Sequence, residues 1–179
     1  SPSDDRPPRL VSIVFSEFRP GAPPTCDVMH PATATRLLLS DALDVDRYGP
    51  GALLLVARLC ASVPCWSMVH GGGQLAVEAV RATLSAHEHS SAVRPIPPGS
   101  RPAWKQPISV TRSSTLGVAA RTTGVCVGDR AVLRTAGGDV VELDEVFSAW
   151  LLLLDGRTSV GQLVDEVAAC LLYTSPSPR

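Results

Sequence analysis

His70-Gly71-Gly72-Gly73 is the first run in the chain whose residue types could do chemistry. Consecutive glycines let backbone N–H groups turn toward a developing oxyanion, with an imidazole beside them to move a proton. Acyl transfer of that kind also needs a serine on a Gly-x-Ser-x-Gly elbow, and the sequence contains no such run. The glycines are therefore read as a break ahead of a helix. His87-Glu88-His89 has the alternation that brings two imidazoles of a strand to one metal ion. It falls instead at the end of a helical stretch, and His89 is the last of the four histidines. Cys60, Cys65 and His70, each five apart, present sulfur and nitrogen ligands of the kind zinc takes. Structural zinc wants four ligands, with its cysteines in tight pairs, so these are read as small buried thiols in a helix end and a loop. No catalytic residue, metal site or cofactor is expected.

The elements that must position these residues come from a chain of 179 residues, 45% apolar and 18% charged, which can bury a core. Aromatics are only 4%, so that core rests on Leu, Val and Ala. A net charge of -1 gives no electrostatic reason to expect nucleic acid or an anionic membrane as partner. The longest apolar runs, Gly51–Val56 and Trp150–Leu154, fall far short of the roughly 20 residues a spanning helix needs. Five scattered cysteines, an odd number, read as reduced thiols of a cytoplasmic protein.

The fold class expected is α+β. Arg9–Phe18 alternates as a β-strand does and is closed by Gly21–Pro24. Helices are expected over Pro31–Leu43, Pro50–Ser62 and Gln74–Ala86, the first two opened by proline and the second stopped before Pro64. Residues 1–89 thus read as a strand plus a mainly helical region, part of a larger upstream domain. Five prolines between Ser90 and Pro107 mark a linker at 90–107. Arg94-Pro95-x-Pro97-Pro98 also fits a polyproline-II ligand, but a stiff linker accounts for it.

Residues 108–170 carry the most regular pattern. Arg130–Thr135 and Asp139–Leu143 flank Ala136-Gly137-Gly138 as a hairpin. Asp144 caps a helix with apolar Val146, Phe147, Trp150, Leu151 and Leu154, and Asp155-Gly156 is expected to end it through a left-handed glycine. Ser159 and Gln162 form a capping box for a second helix carrying Val160, Leu163, Val164, Val167 and Leu171. A hairpin followed by two helices joined at a sharp turn is a winged-helix arrangement, truncated here before a third helix.

Gly128–Ala168 resembles the peptide chaperone of pyrroloquinoline quinone biosynthesis, PqqD, and the recognition elements of ribosomally made peptide natural products. The likeness rests on Leu143-Asp144-Glu145, on Leu154-Asp155-Gly156-Arg157-Thr158-Ser159-Val160 and on Gln162–Ala168. It implies a leader peptide added as a strand on the wing and packed on the first helix. Carried over, the peptide-binding residues are Ala131, Val132, Leu133, Phe147 and Trp150. The order of strand, helices, linker and winged helix also resembles the C-terminal part of JmjC-type cupin oxygenases, which depend on iron(II) and 2-oxoglutarate. The Leu-Leu-Asp-Gly turn is similar to that of methyltransferases with an accessory winged helix. In both of these the catalytic domain would lie upstream of Ser1. Leu171–Arg179 resembles translated sequencing-adapter read-through and, with a first residue that is not Met, reads as the disordered or artefactual end of a fragment. DNA, the usual ligand of a winged helix, is disfavoured by charge. From Asp144 to Cys170 the acids Asp144, Glu145, Asp155, Asp165 and Glu166 face Arg157 alone. The expected role is non-enzymatic binding of a peptide or of an upstream domain of the same protein.

Overall fold

The alternating run near the N-terminus forms β1 (Ile13–Phe18), and the segments after it build an α/β unit rather than a helical one. The computed structural model describes residues 10–42, 48–72, 74–84, 91–96, 112, 115–118, 122–135 and 137–174. Both helices and strands are present, so the class is α+β. The chain divides into two compact units, Ser1–Val93 and Arg94–Arg179, and the division falls inside the proline-rich stretch.

In the first unit β1 is followed by β2 (Thr25–Met29), α1 (Pro31–Asp41), α2 (Pro50–Ser62), β3 (Cys65–His70) and α3 (Gln74–Leu84). The sheet order is β1-β3-β2. β1 lies parallel to β3 from Ile13↔Cys65 to Phe18↔His70, and β2 lies antiparallel to it from Thr25↔Val69 to Met29↔Cys65. The three helices match expectation because their stops are local. Pro31 and Pro50 sit in first turns, where the missing N–H is not needed. The His30 ring caps α1 by accepting from the Ala32 amide at 3.1 Å. β2 and β3 were not expected. β2 has no clean alternation, and β3 is a central strand whose apolar residues fall on both faces, so neither carries a period-2 signal. Ile13, Phe15, Met29 and Cys65 share one face of the sheet and pack with Ala34, Leu38, Val56 and Cys60 from α1 and α2.

The second unit contains β4 (Val93–Ile96), β5 (Thr115–Gly117), β6 (Thr123–Val127), β7 (Arg130–Arg134), β8 (Val140–Leu143), α4 (Glu145–Leu153), β9 (Asp155–Ser159) and α5 (Val160–Thr174). The main sheet runs β4-β6-β7-β8, and β5 pairs with β9. Part of the expected linker is thus a strand: Pro95 is tolerated because β4 is an edge, where a missing N–H breaks no ladder. Residues 97–107 lie outside the described residues. The β7–β8 hairpin closes as expected. The Gly138 amide donates to the Thr135 carbonyl at 3.0 Å and the Thr135 amide to the Asp139 carbonyl at 2.9 Å, with Gly138 at φ +93. This is a three-residue loop whose glycine takes the bulge position.

Asp144 caps α4 by accepting from the Phe147 amide at 2.9 Å. The expected left-handed cap at Gly156 is not formed. The helix ends at Leu153, Leu154 serves as its cap, and Asp155–Ser159 is extended against Thr115–Gly117. Pairing with a strand some forty residues away overrides the local turn signal. The capping box is present: the Ser159 amide donates to Gln162 Oε1 at 3.0 Å and the Gln162 amide to Ser159 Oγ at 3.3 Å. α5 continues through Leu171–Thr174, which sequence places in a tail. Ile96, Cys126, Ala131 and Leu151 form a core with Leu133, Leu143 and Leu154 around them. Val125, Val127 and Val132 are buried on the opposite parity, so β6 and β7 are covered on both faces.

Candidate functional site

The glycine run after β3 is used for packing. His70 ends β3, with its ring edge-on to Phe18 at 5.7 Å. Its Nδ1 accepts from the Gly72 amide at 3.2 Å, so that N–H is turned back onto the protein instead of toward a substrate. A side chain at Gly71 would put Cβ 2.7 Å from the Ala22 carbonyl oxygen, which explains the glycine as a close approach of two backbones. Cys65 and His70 occupy the two ends of β3, about 16 Å apart along an extended strand. The structure does not gather the Cys60, Cys65 and His70 set, although Cys60 and Cys65 meet in the core. His87-Glu88-His89 lies outside the described residues. Among the described residues no three His, Cys, Asp or Glu side chains converge as metal ligands do, and no helix is long and apolar enough to cross a membrane.

The residues expected to bind peptide separate into two groups. Ala131 and Val132 are 0% exposed and Leu133 is half-buried. Their strand, β7, is paired with β6 on one side and β8 on the other. The expected strand addition along Arg130–Thr135 therefore finds no free edge, because both ladders of β7 are already filled. Among the described residues, the outer strand of this hairpin is β8. Parity identifies its groups: with Thr135 and Asp139 closing the loop, Leu133↔Val141 and Ala131↔Leu143 are the pairs that exchange hydrogen bonds. The N–H and C=O of Val140 and Glu142 consequently point away from β7. No family model, curated protein or solved structure matches this chain. Its function must be read from this edge and its surroundings.

Phe147 and Trp150 lie on α4, which packs over β7 and β8. Ser148 ties the helix start to the strand end by donating to the Leu143 carbonyl at 3.1 Å. Phe147 is 62% exposed and Trp150 is half-buried. Val146 and Leu152 are also exposed on α4, Leu152 on the flank opposite Phe147 across the buried Ser148 and Leu151, and Val141 is 40% exposed on the sheet face that α4 covers. Sequence reasoning missed these three. The helix period marked Val146 as core, and only the observed rotation of α4, with Ser148 and Leu151 inward, turns it out. On the other face Glu142 pairs with Arg130 at 2.9 Å. Exposed Asp139, Asp144 and Glu145 bracket the strand.

α5 exposes Gln162, Val164, Asp165 and Glu166, with Asp165 held by Arg112 at 2.6 Å. The Arg112 carbonyl also accepts from the Gly161 amide at 2.7 Å. This helix start is occupied by the chain's own backbone and carries no cluster of basic residues.

Proposed function

We propose that the second unit is a non-enzymatic module that binds an extended polypeptide segment as a strand added to β8. The hairpin, α4 and α5 correspond in order to the strand pair and helices of the peptide chaperones that Gly128–Ala168 resembles. The incoming segment is a precursor peptide or a stretch of an upstream domain of the same protein.

The observation that supports this reading is the coincidence of an open strand edge with an exposed apolar helix. Val140 turns its backbone groups outward from β7, and α4, packed on β7 and β8, carries exposed Phe147 on a flank of its buried face. Backbone pairing supplies affinity, and alternate side chains of the ligand resting on Val141 and Phe147 supply selectivity. Other edges are poorer. β4 carries Pro95, which removes a donor. β2, with α3 against it, shows exposed Val28 and Val77 beside Asp27.

The test is a selection of extended peptides on the immobilised chain, followed by fluorescence anisotropy on variants. Val140→Pro removes an outward N–H while leaving the β7 ladder intact, and should weaken binding about tenfold or more. Phe147→Ala should weaken it similarly, and the pair Asp165→Lys with Glu166→Lys should leave it unchanged. Selected peptides that bind the Val140→Pro chain as well as the parent would refute the edge.

A further inference from the structure

Cys60 lies in the last turn of α2, and Cys65 is the first residue of β3, with Val63 and Pro64 in the bend between them. Both are buried, at 0% and 1% exposure, in the cluster that joins α1, α2 and the sheet. The Cys65 thiol reaches back to the Cys60 carbonyl at 3.5 Å and the Val63 carbonyl at 3.7 Å, which sets its sulfur at the end of α2, in the same buried cluster as the Cys60 side chain. A thiol that already touches the backbone of the other cysteine, inside one packed cluster, needs little backbone movement to reach disulfide geometry. We propose that Cys60 and Cys65 are a redox modification site, a buried dithiol that a small neutral peroxide converts to a disulfide.

The order of events follows from the asymmetry of the pair. The neighbouring Cys65 thiol, aided by the Thr35 hydroxyl, holds the Cys60 thiol more acidic than usual against the opposing effect of burial. The neighbouring Cys60 and burial push Cys65 far up. The Cys60 sulfur attacks one peroxide oxygen, an S–O bond forms as the O–O bond breaks, and one water leaves. The Cys65 sulfur then attacks the Cys60 sulfur, the S–S bond forms, and the departing hydroxyl takes the Cys65 proton as a second water. Two thiols lose two electrons in all, and the peroxide becomes two waters. Burial selects the oxidant, since a bulky disulfide reagent cannot reach either sulfur while a molecule of peroxide size enters on local opening. The bond then locks the corner that seats β1, where the Pro64 carbonyl accepts from the Ile13 amide at 3.0 Å and from Ser12 Oγ at 3.2 Å.

Arg58 and Arg81 bracket both cysteines in one tryptic peptide. The intact chain is treated with hydrogen peroxide, quenched, denatured, alkylated and mapped without reduction. The expected peptide carries no alkyl group and has lost two hydrogens, dithiothreitol restores two alkylatable thiols, and the oxidised chain melts roughly 5–10 °C higher. The proposal is overturned if both cysteines remain alkylatable after half-exposed Cys26 has been oxidised. It is equally overturned if one cysteine carries added oxygens while the other is alkylated.

Discussion

Glycine 124 shows how single residues set this fold. It lies opposite Leu133 in the β6–β7 pair, and a Cβ there would stand 2.5 Å from Leu133 Cδ2 and 2.8 Å from Ile96 Cδ1. Gly124→Ala should destabilise the second unit by roughly 1–3 kcal/mol in urea titration, the usual cost of overpacking a core. Gly137→Ala, whose Cβ would meet nothing closer than 3.6 Å, should stay within about 0.5 kcal/mol. Asp144→Ala loses the cap on the Phe147 amide and should cost about 1 kcal/mol. The capping residues Asp144, Ser159 and Gln162 were legible in the sequence, because a cap is satisfied by neighbours three residues away. The close approaches at Gly71 and Gly124 were not, because the atoms they meet come from loops and strands distant in sequence.

At the scale of elements, what could be read depended on where the decisive partner lies. α2 was bounded correctly by Pro50 and Pro64, whose sterics act on adjacent residues. β2, β3, β5 and β9 depend on ladders to distant strands, and β9 replaced a turn that its Asp-Gly chemistry favoured. β6, by contrast, pairs with β7 across the short Gly128-Asp129 turn, a local signal that sequence reasoning missed. This changes the expectation at Gly156. A left-handed glycine would not accept a β-branched residue, whereas an extended one does. Gly156→Val should leave thermal stability within about 0.5 kcal/mol of the parent, and a large loss would restore the left-handed cap. The hairpin edge gives a paired test. Val141→Pro removes a bond of the β7–β8 ladder and should cost roughly 1–3 kcal/mol. Val140→Pro, with its N–H directed outward, should cost less than about 1 kcal/mol.

The molecule as a whole has two cores, and each should report its own damage. Leu53 is buried in the first unit and Leu163 in the second. Leu53→Ala and Leu163→Ala should each destabilise by about 2–5 kcal/mol. With Trp66 reporting on the first unit and Trp104 and Trp150 on the second, each variant should lower the fluorescence transition of its own unit. The candidate site was half legible at this scale. Phe147 and Trp150 follow from helix period, but sheet order decides which strand is the edge, and that moves the proposed binding strand from β7 to β8.

The most direct measurement of the binding account is backbone amide exchange by NMR on the full chain, with and without a selected peptide at saturating concentration. Strand addition to β8 predicts that the Val140 amide exchanges quickly in the free chain and becomes strongly protected when peptide binds. The Val141 and Leu143 amides, already in the β7 ladder, should be protected in both states. Peptide binding that leaves Val140 exchanging freely, or that protects instead the amides of β4 or α5, would contradict it.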